Sequence, residues 1–141
     1  MQVVAGILIG KNKKVLLAQR TKPTPPQEPS TPRGSPRGRT YPWEFPGGKC
    51  EPLETPEQAL HRELFEELQV EIRDLQLVGK VSCEHQGLTI DFFLCRHSGN
   101  ILPKVHRAFA WTEIRHLDGF PLCPLDAEFV QKYHQKLSKG L

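Results

Sequence analysis

The chain has 141 residues, of which 38% are hydrophobic and 25% charged, with a net charge of +3 at neutral pH. That length sets one domain, spanning 1–141, with a core of ordinary size, and the composition excludes both a disordered chain and a membrane protein. The charge excess does not describe a nucleic-acid-binding face: it sits wholly in residues 22–42, where Lys22, Arg33, Arg37 and Arg39 stand against Glu28 alone. Only Tyr41 supplies an aromatic ring there, so stacking on bases is not expected.

In chain order, residues 3–9 are an apolar run far too short to cross a bilayer, and they lack the flanking signals of a secretory leader. They pair, on this reading, with residues 15–19 as a hairpin, turning through Gly10-Lys11-Asn12-Lys13-Lys14. Residues 22–42 hold seven of the thirteen prolines and predict a flexible Pro/Arg-rich loop. Trp43-Glu44-Phe45-Pro46 then runs extended into Gly47-Gly48.

The strongest helix signal follows. Thr55 is a cap, Pro56 takes the first helical position, and Gln58 completes a T-x-x-Q capping box. Ala59, Leu60, Leu64 and Leu68 recur at helical spacing. Residues 75–83 and 88–95 predict two strands turning through Glu84-His85-Gln86-Gly87, and 107–111 a further short strand. A last helix is predicted over 127–137, capped by Asp126. Strands interleaved with two helices indicate an α/β/α sandwich, a mixed sheet between a central and a C-terminal helix. Cys50, Cys83, Cys95 and Cys123 form no C-x-x-C pair, so reduced thiols and a cytoplasmic setting are expected.

On the central helix, Glu63, Glu66 and Glu67 stand at i, i+3 and i+4, on one face. Like charges at that spacing destabilise a helix by roughly 0.2–0.5 kcal/mol per pair, and Arg62 points elsewhere on the wheel. The cluster therefore calls for a cation, and carboxylate oxygens favour Mg²⁺ or Mn²⁺ over softer metals. Gly47 and Gly48, just upstream, let backbone approach such a site without a side chain in the way.

Residues 47–70, GGKCEPLETPEQALHRELFEELQV, closely resemble the Nudix box, G-x5-E-x7-R-E-U-x-E-E-x-G-U, with U a bulky aliphatic residue. Gly48, Glu54, Arg62, Glu63, Leu64, Glu66, Glu67 and Val70 fall on the pattern, and the preceding WEFPGGK is similar to the MutT branch. Two positions depart from it. Gln69 replaces the box glycine, where the family wants a left-handed backbone. Alignment on Trp111 puts Val105, with His106 beside it, where MutT-like enzymes often carry a further glutamate.

The resemblance implies a Mg²⁺-dependent pyrophosphohydrolase that cuts a nucleoside triphosphate to a monophosphate and pyrophosphate, with 8-oxo-dGTP the favoured substrate. CTP, a methylated dCTP, a dinucleotide, or a role as a weakly active binding module are the alternatives. It implies that Glu63, Glu66 and Glu67, with a carbonyl of Gly47 or Gly48, hold the metal, and that Glu63 or Glu66 takes the proton of the attacking water. Glu54 and Arg62 pair to hold the loop on the helix. By the same resemblance Arg20, Glu44, Phe45, Pro46, Gly47 and Asp126 are expected to make the nucleotide site, Phe45 offering a ring face and Asp126 reading the base edge. Trp43, Phe109 and Trp111 belong to the core. The expected partner is a free nucleotide, without membrane or nucleic acid, and the chain acts as a monomer or a homodimer.

Overall fold

The computed structural model describes residues 1–23, 41–102 and 104–140. Most of the expected loop, residues 24–40, lies outside them. The strands are β1 Gln2–Leu8, β2 Val15–Gln19, β3 Trp43–Glu44, β4 Gly47–Lys49, β5 Glu71–Cys83, β6 Leu88–Ser98 and β7 Ala108–Thr112; the helices are α1 Pro56–Leu68 and α2 Pro124–Gly140. One sheet is mixed, in the order β4-β1-β6-β5, with β1 parallel to β6 and the other pairs antiparallel. The second, antiparallel throughout, runs β3-β2-β7.

This topology overturns the N-terminal hairpin. Both edges of β1 are taken, by β4 and β6, so β2 leaves for the other sheet and meets the first strand region only at the bridge between Ile9 and Val15. The turn at 10–14 does close, through a hydrogen bond from Gly10 N to Lys14 O at 2.7 Å. A tight turn thus changes sheets instead of pairing its flanks.

Alternation along the buried strands fills two cores. Ala5, Ile7 and Leu17 face α2, packing with Phe92 and Phe129, whose rings stack at 4.0 Å. Val4, Leu8 and Leu16 face α1, packing with Leu60, Leu64 and Leu68. Because helices cover both sides, these strands are apolar on both faces, and the α/β/α sandwich follows. Among the described residues no helix is long and apolar enough to cross a membrane.

Helix α1 begins as its sequence dictates. Thr55 Oγ1 accepts from Gln58 N at 3.1 Å while Gln58 Oε1 accepts from Thr55 N at 3.0 Å. It ends at Gln69, which adopts the left-handed conformation at φ 62°, ψ 34° and donates its N–H to Phe65 O. Strand β5 starts at Glu71, four residues earlier than its pattern suggests; Asp74, at φ 56°, accompanies a register shift that breaks the alternation there. Helix α2 starts at Pro124, with Ala127 N donating to Cys123 O at 2.9 Å, so Asp126 lies inside the first turn and is not the cap.

The left-handed residue yields a stability prediction. A side chain at that φ costs about 1–2 kcal/mol, partly offset by the lower unfolded-state entropy of a non-glycine residue, about 0.4–1 kcal/mol. Gln69→Gly should therefore stabilise by about 0.5–1 kcal/mol in urea unfolding, and Gln69→Val, β-branched, should destabilise by at least as much. Equal stabilities for the three chains would contradict the strain.

Candidate active site

The C-terminal half of α1 lies directly over β4. A Cβ built on Gly48 would fall 2.3 Å from Cδ of Glu63 and 2.4–2.6 Å from its carboxylate oxygens, so a side chain at 48 would displace that carboxylate. At Gly47 it would fall 1.9 Å from Val4 O. The two glycines thus let backbone form the floor beneath the acidic face.

Arg62 fixes the height of that arrangement. Its Nε and Nη2 donate to the two carboxylate oxygens of Glu54 at 2.7 and 2.9 Å, and Nη2 also reaches Lys49 O at 2.9 Å. These bonds clamp the 49–55 loop to the helix. The guanidinium and the N–H of Glu51 hold Glu54 down to about 2. Contrary to the wheel projection, Arg62 does not point away from the acidic face: Nη1 donates to Glu63 at 3.0 Å and Glu66 at 3.2 Å. Its long stem carries the charge across a face that Cβ positions alone assign to carboxylates.

As a result the three glutamates do not converge equally. Glu66 leans on Arg62 and is 58% exposed, whereas Glu63 and Glu67 are 15% and 16% exposed. Burial first, then the neighbouring Glu63, push Glu67 up to about 8, against a stabilising hydrogen bond from the Gly47 backbone. Its Oε1 is buried without a hydrogen-bond partner. Among the described residues no three His, Cys, Asp or Glu side chains form a ready-made metal cage. Yet an orphaned carboxylate oxygen, a second carboxylate beside it and a floor of glycine backbone fit a hard divalent cation, which would relieve the repulsion that now favours a proton on Glu67.

A pocket of about 400 Å³ opens beside this pair, lined by Gly47, Gly48 and Glu67 together with Arg20, Glu44 and Asp126. Arg20 Nε stands 3.8 Å from Glu44 Oε1, and Glu44 Oε2 contacts His106 Nε2 at 3.2 Å. Asp126 Oδ2 accepts from Phe45 N at 2.9 Å. Burial, only partly countered by that bond, pushes Asp126 up to about 7. Phe45 and Pro46 differ from expectation. The Phe45 ring is 2% exposed and packs edge-on against Phe92 and Phe129, so it offers its N–H, not a stacking face. Pro46 is buried, its carbonyl accepting from Gly6 N at 2.8 Å, and it does not line the pocket. Trp43, Phe109 and Trp111 pack against the two cores, as expected.

Two residues not assigned from sequence complete the surroundings. His106 points inward with 4% of its side chain exposed, while Val105 is 51% exposed. Cys123 Sγ lies 3.9 Å from both Arg20 Nη1 and Glu44 Oε1. The sequence carried a hint of the first, a histidine next to the position where an acid is missing; it carried none of the second.

An acidic helix laid across a glycine strand beside a polar pocket suits metal-assisted attack on a polyphosphate. Residues 1–133 match the NUDIX domain, and the chain belongs to the Nudix hydrolase family. Nudix hydrolases generally need a divalent metal. The chain is 38% identical over 96 residues, 67% of its length and 74% of the relative's, to an 8-oxo-dGTP diphosphatase of Proteus vulgaris. It is 32% identical over 140 residues, 94% of its length and 90% of the relative's, to a CTP pyrophosphohydrolase of Escherichia coli K12. Its fold superposes on the solution structure of the E. coli ORF135 protein with a TM-score of 0.72 and 30% identity, covering 99% of this chain and 91% of that one. A MutT structure from a study of Aliivibrio salmonicida and Vibrio cholerae superposes with a TM-score of 0.73 at 23% identity, covering 96% and 99%.

The raised Asp126 predicts a pH effect of definite sign. Its carboxyl titrates at about 7 when folded against an ordinary 3.8, so the folded chain binds the extra proton between those values. Stability from this group is therefore complete below about pH 4, is lost as pH rises towards 7, and levels off above. Asp126→Asn keeps an acceptor for Phe45 N–H without the titration. Its stability relative to the parent should climb from pH 4.5 to 7.5, by on the order of a few kcal/mol in urea unfolding. A gap that does not change with pH would refute the shifted carboxyl.

Proposed function

We propose that this Nudix hydrolase is a Mg²⁺-dependent nucleoside triphosphate pyrophosphohydrolase, with Mn²⁺ able to substitute, releasing a nucleoside monophosphate and pyrophosphate. The observation that carries this reading is one pocket in which Glu67, beside the glycine floor, shares the lining with Arg20, Glu44 and Asp126. Glu63 and Glu67, with Glu66 at the open edge and a carbonyl of Gly47 or Gly48, would hold the ion. When bound, it supplies charge neutralisation for the polyphosphate and activation of water.

The chain's own groups do the rest. Arg62 and Glu54 keep the carboxylates over β4. Glu63 or Glu66 would accept the proton of the attacking water, as one P–O bond of the α–β anhydride breaks and another forms to the water oxygen. Arg20, Glu44 and Asp126 would orient the nucleoside. Asp126, titrating near neutrality, can both accept from and donate to a base edge. We take an oxidised purine such as 8-oxo-dGTP as the leading substrate, following the name of the P. vulgaris relative. CTP or a methylated dCTP is the second reading, supported by the fuller coverage of the E. coli relative, 94% of this chain. The enzyme would act on free nucleotides in the cytoplasm.

Pyrophosphate release with and without Mg²⁺, across normal and oxidised nucleoside triphosphates, tests this. Hydrolysis that is metal-independent, or confined to other phosphate esters, would reject it. Glu67→Gln should keep the fold and lose at least about 100-fold in kcat, the scale for removing transition-state charge stabilisation; near-normal turnover would remove Glu67 from the site. Asp126→Ala should raise KM and flatten discrimination between the preferred base and its competitor more than it lowers kcat, because its contact is remote from phosphorus. A uniform fall in kcat with base preference intact would place Asp126 outside base reading.

A further inference from the structure

Resting on that reading, we propose that His106 is a positioning residue, which sets the carboxylates of Glu44 and Glu67 relative to each other in the pocket and so ties metal binding to nucleotide binding. Its backbone is held from both sides. Leu102 N and Lys104 N donate to Leu68 O and Glu67 O at the end of α1, at 2.9 and 3.1 Å, and Arg107 N donates to Gln19 O at the end of β2, at 2.8 Å. The segment between β6 and β7 therefore bridges the helix that bears Glu67 and the strand that leads to Arg20.

The side chain exploits that placement. Nε2 lies 3.2 Å from Glu44 Oε2 and 3.9 Å from Glu67 Oε1, the buried oxygen without a hydrogen-bond partner. Nδ1 is also buried without a partner, so the polar contacts of the ring are made at Nε2. A carboxylate only accepts, so Nε2 carries the proton and donates to Glu44. The imidazole thereby stands between two acids that would otherwise face each other, and it limits where the Glu67 carboxylate can turn. Val105, exposed and aliphatic, has no group for this task. Partners that orient metal-binding carboxylates typically matter by 10–100-fold in metal affinity.

The test separates the two ring nitrogens. His106→Gln returns an amide N–H near the Nε2 position, His106→Asn returns one near Nδ1, and His106→Ala returns neither. Mn²⁺ affinity is measured by electron paramagnetic resonance on the whole chain without nucleotide, with thermal melts as fold controls, followed by kcat and KM. Ala and Asn should weaken Mn²⁺ binding by about 10-fold or more and raise KM, while Gln stays near the parent in both. Should His106→Ala fail to fold, Gln against Asn carries the same comparison. Parent-like Mn²⁺ affinity in Ala or Asn, or an equal loss in all three, would overturn the role, and a parent chain that binds no Mn²⁺ would overturn it together with the metal site. Normal Mn²⁺ behaviour of the series without any nucleotide hydrolysis by the parent would reject the proposed function and leave the positioning of Glu67 standing.

Discussion

Two carboxylates can be buried against a strand only if the strand gives up its side chains, and the contact between Glu63 and Gly48 is where this protein meets that condition. The space a Cβ would need at residue 48 is filled by the Glu63 carboxyl group, and the space at 47 by the backbone of β1. Helix α1 can then settle over β4 with Leu60, Leu64 and Leu68 in the core beneath it and Glu63 and Glu67 over the floor. The clamp by Arg62 on Glu54 and Lys49 O closes the loop between strand and helix, so its geometry follows from the same contact.

Electrostatically the site works against the fold. Glu67, pushed up to about 8, and Asp126, at about 7, both carry the mark of carboxyl groups denied water. Both line one pocket together with Glu44, which contacts Arg20 and His106. Arg62 is the local compensation, spread over Glu54, Glu63 and Glu66. It leaves Glu67 Oε1 unsatisfied, and a fold selected for stability alone would not retain that atom. The orphaned oxygen is therefore where a bound cation would relieve the site.

What could be read from sequence was local in origin. The capping box at Thr55 and Gln58, the apolar stripe of α1, the spacing of the carboxylates and the left-handed turn forced on Gln69 all depend on neighbours a few residues away. The errors came where distant chain segments decide. The turn at 10–14 looks like a hairpin until β4 and β6 claim both edges of β1. Phe45 looks free to stack until α2 brings Phe129 against its ring. Asp126 looks like a helix cap, yet the helix begins earlier and the N–H of Phe45, 81 residues away, takes its carboxylate. The sequence hints at His106, but its inward placement depends on the segment before β7 being pinned between α1 and β2.

Gly48→Ala tests the contact between Glu63 and the bare strand most directly. One methyl group should leave the strand and its pairing with Val4 in place, because residue 48 has no positive φ to lose, while forcing the Glu63 carboxylate from its seat. The measurement is Mg²⁺-dependent pyrophosphate release at saturating nucleotide, with a thermal melt on the same sample. The account predicts a cooperative melt close to the parent's and a fall in kcat of at least about 100-fold. A folded Gly48→Ala chain with near-parent turnover would contradict the claim that the approach of Glu63 to a bare backbone makes the site.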